Sequence, residues 1–323
     1  MYTVKKNIYL YRDALANHHQ GSAVTIGNFD GIHLGHQGLL LHLVKVARQK
    51  HLIPTVLTFI PHAREFFATQ RNNPALAPAR ILSPRDKIQA IRECGIEHII
   101  VKRFNEAFAR LSPQDFIKDI LIDQLNVKWL IVGKDFHFGH KRLGDISMLE
   151  KAAKLYNFEL VIAEDILDDE NQRYSSTAVR KALSDGDMDL ANELLGHPYL
   201  VTGHVIHGQK LGRTLGFPTL NLKLHPLSAL KTGVYIVTVS GLKETPIPAV
   251  ASVGFRPTVT TDGALLLEVH LLDTQIDAYG KLISVSFLKF VRSEEKFQDL
   301  EALTNAIQND VKIAKTYFLN HGL

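Results

Sequence analysis

Apolar and polar positions follow two different rhythms along this chain. In the first, short apolar runs take turns with longer stretches of helical periodicity. Val24–Ile26, Leu52–Phe59, Glu97–Val101, Val127–Val132 and Phe158–Ala163 read as buried strands. Between them, Leu39, Leu40, Leu43, Val46 and Ala47 fall on one helical face. Ser83-Pro84 followed by Asp86 predicts a helix start, with a serine cap and proline at the first helical position. Ser112-Pro113 repeats that device ahead of a helix through Leu125, and a further helix is predicted from about Asp145 to Tyr156. Strands alternating with helices of this length imply a parallel sheet covered on both faces, a doubly wound α/β domain. Ligands in such domains bind at the carboxyl ends of the strands.

The rhythm changes after the helix that ends at Leu183. Ser184-Asp185-Gly186-Asp187 breaks it, and a short helix from Met188 to Leu195 is stopped by Gly196 and Pro198. Tyr199–His207, Gly233–Ser240, Ala249–Val253, Leu265–Leu272 and Leu282–Val291 then read as strands divided by glycine and proline turns, with no helix between them. Regular short strands of this kind predict an antiparallel barrel or sandwich. A stripe of Phe297, Leu300, Leu303, Ile307, Val311 and Ala314 predicts a helix from about Glu294 to Phe318, packed on the strands. Two domains result, residues 1–186 and 187–323.

Composition supports that division and narrows the partners. A length of 323 residues suits two domains, and a hydrophobic fraction of 46% suits substantial cores. Lys and Arg number 37 against 33 for Asp and Glu, spread without a block of like charge. Nucleotides and other small anions account for that mild excess, so no nucleic-acid partner is expected. Cys94 is the only cysteine, which rules out an intrachain disulfide and suits the cytoplasm. No apolar run reaches the length of a membrane span and no signal-type segment follows Met1, so no membrane partner is expected.

The chemistry concentrates at turns. Gly27-Asn28-Phe29-Asp30-Gly31 breaks the first buried run, and His33, Gly35 and His36 precede the helix. Strand, glycine turn and helix is the layout in which helix amides bind phosphate. Two imidazoles can donate to phosphate oxygens as charge builds, while Gly35 lets a nucleotide approach the backbone. Three other stretches lie at strand ends: Thr58–Phe67, Val132–Gly139 and Tyr174–Leu183. In the second, Asp135 can accept hydrogen bonds, and Phe136 and Phe138 can stack on a flat ring. In the third, Ser175, Ser176 and Thr177 open a helix with Arg180 one turn on, either a polyphosphate clamp or a plain cap with a solvated arginine.

The second half has its own candidates. Gly208 and Gly212 share a loop with Lys210 and Arg213, where amides and cations can meet phosphates. Gly216-Phe217-Pro218 is a rigid turn that delivers Thr219 and Asn221 to one face of a strand. A hydroxyl and an amide oxygen suit a magnesium ion that carries ATP phosphates. Glu268, in a strand of leucine and valine, reads as a general base or as an exposed partner of His270 on the same face.

GNFDGIHLGH, Gly27 to His36, resembles the signature of the nucleotidylyltransferase superfamily, in the form carried by bacterial bifunctional riboflavin kinase/FAD synthetases. SSTAVR and VGKDFHFG match that family in order and spacing. PTLN (Pro218 to Asn221), with Leu220 in place of alanine, resembles the riboflavin kinase signature; EVHLLD, DAYGK and FVRSEEKF resemble the rest of that barrel. The resemblance implies a nucleotidylyltransferase domain followed by a six-stranded antiparallel β-barrel with a C-terminal helix. It implies that ATP and magnesium serve two steps, riboflavin to FMN and FMN to FAD. Gly27, Phe29, Gly35, Ser175, Ser176, Thr177 and Arg180 are then expected to hold ATP for adenylyl transfer, with His33 and His36 catalytic. Gly208, Lys210, Gly212, Arg213, Thr219 and Asn221 are expected to hold ATP for the kinase, with magnesium on Thr219 and Asn221 and Glu268 as base. Asp135, Phe136, Phe138 and Arg292 are expected to bind flavin.

One departure is visible: Ile60 and Ala63 stand where the family usually has an acid and a second proline. Isoleucine cannot help hold magnesium, which predicts slower adenylyl transfer or another metal ligand. The alternatives are another small-molecule nucleotidylyltransferase, or a flavin- or RNA-binding regulator on the same folds. A monomer or weak oligomer is expected.

Overall fold

The computed structural model describes residues 9–12, 20–167, 172–208, 211–256 and 264–322. It divides into two compact units, the first made of residues 1–78 and 87–175, the second of residues 79–86 and 176–323.

The first unit is built on a parallel sheet: β1 (Tyr9–Arg12), β2 (Ser22–Ile26), β3 (Ile53–Ile60), β4 (His98–Arg103), β5 (Val127–Gly133) and β6 (Glu159–Ala163). Their spatial order is β1-β4-β3-β2-β5-β6, every pairing parallel. That is the doubly wound fold, with the reversal of strand order falling beside β2. All five β2 residues are buried, as a central strand covered on both faces requires. Its helices include α1 (Leu34–Gln49), α2 (Ala63–Gln70), α3 (Pro84–Glu93, in this unit from Lys87 onward), the π-helical α4 (Phe116–Gln124) and α5 (Ile146–Tyr156). Ser83 caps α3 by accepting from the Asp86 amide at 3.1 Å. Asp145 caps α5 by accepting from the Met148 amide, and that bond, with one from Ser147, holds its carboxyl below the usual carboxylate range. Phe116, Ile117, Ile120 and Leu121 of α4 pack onto Leu130 and Val132 of β5 in one core cluster.

Strand β1, helix α2 and the π geometry of α4 were not expected from the sequence pattern. A four-residue edge strand carries too little periodicity to announce itself. Helix α2 reads AREFFATQ, whose two adjacent phenylalanines blur a single apolar face.

In the second unit, α6 (Ser176–Asp185) and α7 (Met188–Leu195) precede β7 (Tyr199–His204), β8 (Leu220–Lys223), β9 (Gly233–Ser240), β10 (Ile247–Arg256), β11 (Ala264–Leu271) and β12 (Leu282–Arg292). The strands follow the order β7-β12-β9-β10-β11-β8, all antiparallel. A bridge from Ile206 to Asn221, with the Ile206 amide donating at 2.8 Å, draws the β7 and β8 ends together into a nearly closed barrel. The stretch Ala79–Asp86 belongs to this unit, where the Tyr199 hydroxyl donates to the Ile81 carbonyl at 2.9 Å.

The last helix, α8 (Leu300–His321), starts later than the expected Glu294, because Asp299 caps it by accepting from the Ala302 amide at 2.8 Å. Ala314 and Phe318 pack against Val234, Ile236 and Val250. Asp310, 3% exposed, is held in a bidentate pair by Arg292, Nε to Oδ1 at 2.9 Å and Nη2 to Oδ2 at 2.8 Å. Arg292→Ala leaves that carboxylate buried and uncompensated. A loss of about 3–5 kcal/mol is expected, read by denaturant unfolding of the full chain.

Candidate active sites

The turn after β2 is held from beneath. Gly27 N donates to the Leu57 carbonyl at 3.1 Å. The Asn28 carbonyl accepts from the Thr58 hydroxyl at 3.2 Å and from Lys87 Nζ at 3.1 Å. Lys87 also reaches Thr58 Oγ1 and the Phe59 carbonyl, both at 3.1 Å, so this buried ammonium straps the ends of β2 and β3 together. The backbone then passes through left-handed conformations at Phe29 (φ 49°), Gly31 (φ 91°) and Ile32 (φ 44°). Two of these are not glycine, a concentration of strain of the kind found where a loop must hold one shape.

That loop delivers the histidines. His33, 5% exposed, is the cap of α1, its Nδ1 accepting from the His36 amide at 3.4 Å. An imidazole that accepts at Nδ1 carries its proton on Nε2, which makes that edge a donor. The two rings stack with centroids 3.8 Å apart and 21° between planes, and Phe29 meets His36 edge-on at 5.2 Å. Gly35 sits in a crowded place: a Cβ there meets Tyr174 Cβ at 3.0 Å and His33 Nδ1 at 3.2 Å. Tyr174, and with it Ser175, thus lies at the turn within the first unit. Ser176, Thr177 and Arg180 lie on α6 in the second unit, where Arg180 Nε donates to the Ala79 carbonyl at 2.6 Å.

Beside Gly27 and Asn28 opens a cavity of about 740 Å³. Phe136 and Phe138 line it, stacked at 5.6 Å with 20° between planes, and Asp135 stands on its wall. Arg173 lies 3.5 Å from the Asp135 carboxylate and 2.9 Å from Asp165. Lys134, reinforced by the charge of Arg173, holds the Asp165 carboxyl below the usual carboxylate range. Phe59, Arg64, Phe66 and Phe67 of the Thr58–Phe67 stretch line it too, whereas Phe104, Phe108 and Phe116, with Arg71 and Arg110, escaped the sequence reading. Eight of the chain's 16 phenylalanines therefore line one cavity, an apolar slot for a large planar ring with cations around it.

The second unit carries another arrangement. Glu268 on β11 is the cross-strand partner of Asn221 on β8. Asn221 is 5% exposed and its Oδ1 has no hydrogen-bond partner among the described residues. Its Nδ2 lies 3.5 Å from the Thr219 hydroxyl. Gly208 lets the loop after β7 come down on that amide, since a Cβ there meets Asn221 Nδ2 at 2.6 Å. Gly212 and Arg213 lie on the short helix Leu211–Thr214, and Phe217 N donates to the Gly212 carbonyl at 2.7 Å. Lys210 lies outside the described residues. His270 Nδ1–H donates to the Pro218 carbonyl at 3.0 Å, so it shapes the Pro-Thr turn. The guanidinium of Arg292 is committed to Asp310, and its remaining nitrogen donates to the Ser293 carbonyl at 3.3 Å.

An orphaned hard oxygen beside a hydroxyl and opposite a carboxylate is what a phosphate-bound divalent ion asks of a protein. In the first unit, a strained donor turn meets an aromatic slot.

Each arrangement falls in a different family match. The profile of the family described as FAD synthetase matches residues 15–178, and that of riboflavin kinase matches residues 195–318. The bifunctional riboflavin kinase/FMN adenylyltransferase of Escherichia coli K12 is 44% identical over 93% of both chains. The chain belongs to this family. The enzyme of the same name from Haemophilus influenzae is 43% identical, over 93% of this chain and 95% of its own. The crystal structure of a macrolide-efflux protein from Streptococcus pneumoniae shares the fold at TM-score 0.78 and 31% identity, over 95% of this chain and 99% of that one. No helix among the described residues is long and apolar enough to cross a membrane.

Proposed function

We propose that the chain phosphorylates riboflavin to FMN in its C-terminal domain, residues 187–323, and adenylates FMN to FAD in its N-terminal domain, residues 1–186, using one ATP in each step. The observation that carries this reading is the pair of family matches, one over the histidine turn with its aromatic cavity and one over the Asn221–Glu268 pairing.

In the kinase step the 5′-hydroxyl oxygen of riboflavin attacks the γ-phosphorus of ATP and ADP leaves. Glu268 takes the hydroxyl proton. Asn221 Oδ1 and the Thr219 hydroxyl are the oxygens that fit magnesium, which when bound to ATP neutralises phosphate charge. The loop with Gly208, Lys210, Gly212 and Arg213 is assigned to the phosphates. Arg292 serves the flavin indirectly here, by fixing the barrel end of α8.

In the adenylyl step an oxygen of the FMN phosphate attacks the α-phosphorus of ATP and pyrophosphate leaves. His33 and His36 donate to oxygens on which charge builds, and Gly27, Phe29 and Gly35 shape the turn around the nucleotide. Ser175, Ser176, Thr177 and Arg180 are assigned to the ATP phosphates by the motif they share with the family. Phe136 and Phe138 hold the flavin ring, with Asp135 at its polar edge. Ile60 brings no oxygen to a metal here, so any ion at this step draws its ligands from ATP, water and other residues.

The reading places the enzyme in the cytosol as a monomer or weak oligomer. Burial, reinforced by Glu93, pushes the Cys94 thiol up to about 11, an unreactive state that such a setting tolerates. FMN and ATP with magnesium should yield FAD and pyrophosphate in equal amounts, resolved by chromatography, and excess EDTA should stop both this step and riboflavin phosphorylation. FAD formation unaffected by EDTA contradicts the metal requirement; no FAD from FMN contradicts the adenylyl assignment.

A further inference from the structure

Asn28 stands where the aromatic cavity meets the histidine turn. It lines the cavity, and its Oδ1 is buried with no hydrogen-bond partner among the described residues. Thr58 and Lys87 both donate to the Asn28 carbonyl, which fixes the backbone from which that amide projects. A buried amide oxygen without a donor costs free energy unless a ligand supplies one. On the assignment proposed above, the cavity takes the flavin ring, and His33 and His36, five and eight residues beyond Asn28, take phosphate. Asn28 belongs to both the cavity wall and the turn, where the link between ring and phosphate is expected.

We propose that the Asn28 amide reads the polyol chain of the flavin, Oδ1 accepting from one ribityl hydroxyl and Nδ2 donating to a neighbouring hydroxyl oxygen. A carboxamide carries an acceptor and a donor side by side, and vicinal hydroxyls present the complementary pair. A phosphate fits less well, since it offers acceptors only and leaves Oδ1 unsatisfied. A metal ion fits less well too, because the Lys87 ammonium lies 3.1 Å from the carbonyl of the same residue. This inference rests on the assignment of the cavity to FMN and adds the part of FMN that selects it from other planar rings.

The test uses the full chain, FMN as substrate and lumiflavin as inhibitor. Lumiflavin has the flavin ring with a methyl group in place of the ribityl phosphate, so it reports ring binding alone and cannot be phosphorylated. Asn28→Leu keeps the volume and removes both polar atoms. The KM for FMN in FAD formation should rise about tenfold, the loss of one to two hydrogen bonds, while the lumiflavin inhibition constant stays unchanged. Asn28→Asp keeps the acceptor, so its KM should stay within about threefold of the parent. Riboflavin phosphorylation by the same variants serves as the folding control and should not change.

An unchanged KM in Asn28→Leu overturns the proposal, as does a lumiflavin constant that rises in step with KM, which makes Asn28 a wall of the ring slot. A KM that rises more in Asn28→Asp than in Asn28→Leu overturns it in favour of a phosphate contact. Failure of lumiflavin to inhibit the parent enzyme counts instead against the assignment of the cavity to the flavin ring.

Discussion

Replacing His36 by alanine is expected to lower FAD formation from FMN by at least about a hundredfold while leaving FMN formation from riboflavin unchanged. The ring is stacked on His33 at 3.8 Å and braced by Phe29 at 5.2 Å, so its position is set before any nucleotide arrives. A donor that needs no reorganisation acts most strongly as charge shifts toward the pyrophosphate. His36 is the cleaner of the two histidines to remove. His33 also caps α1, and its loss adds about 1 kcal/mol of helix destabilisation to any catalytic effect. Steady-state rates of both reactions on one preparation decide the matter. Loss of both activities in a folded His36→Ala protein contradicts the assignment of separate sites.

Glu268→Ala should do the reverse, cutting riboflavin phosphorylation by about 10²- to 10⁴-fold and sparing adenylyl transfer. Register makes this residue specific. Glu268 pairs across the sheet with Asn221, which places the carboxylate and the orphaned amide oxygen on facing strands. The base therefore lies next to the group assigned to the phosphates, where an attacking hydroxyl must sit. FMN formation that survives Glu268→Ala within tenfold means that proton removal is assigned to the wrong group.

The strand–helix alternation of the first half and the helix caps at Ser83 and Ser112 were legible because each follows from local chemistry, a period or a side chain reaching its own backbone. The start of α8 was misplaced by the same logic. Phe297 continues the apolar stripe, yet the cap belongs to Asp299, and Phe297 is left beneath Arg292 with the guanidinium carbon 5.5 Å from its ring. The short strand β8 was implied where Thr219 and Asn221 were set on one strand face, but its pairing with β11 was not legible.

The histidines and the Thr-x-Asn turn were visible because their residue types are rare together. The cavity wall was visible only in part. Phe59 and Phe66 lie in the Thr58–Phe67 stretch singled out at a strand end, whereas Phe104 and Phe108 are ordinary apolar residues until the fold brings them round the same space. Lys87 and Asn28 were invisible for a related reason. Their meaning lies in a contact between residues 59 positions apart, which no local pattern encodes.

The central claim is that one chain takes riboflavin through FMN to FAD, and a time course tests it most directly. With riboflavin, ATP and magnesium, chromatography of the flavins should show FMN rising first and FAD rising at its expense. Absence of both products, or FAD formation from riboflavin that persists in Glu268→Ala, would contradict the account.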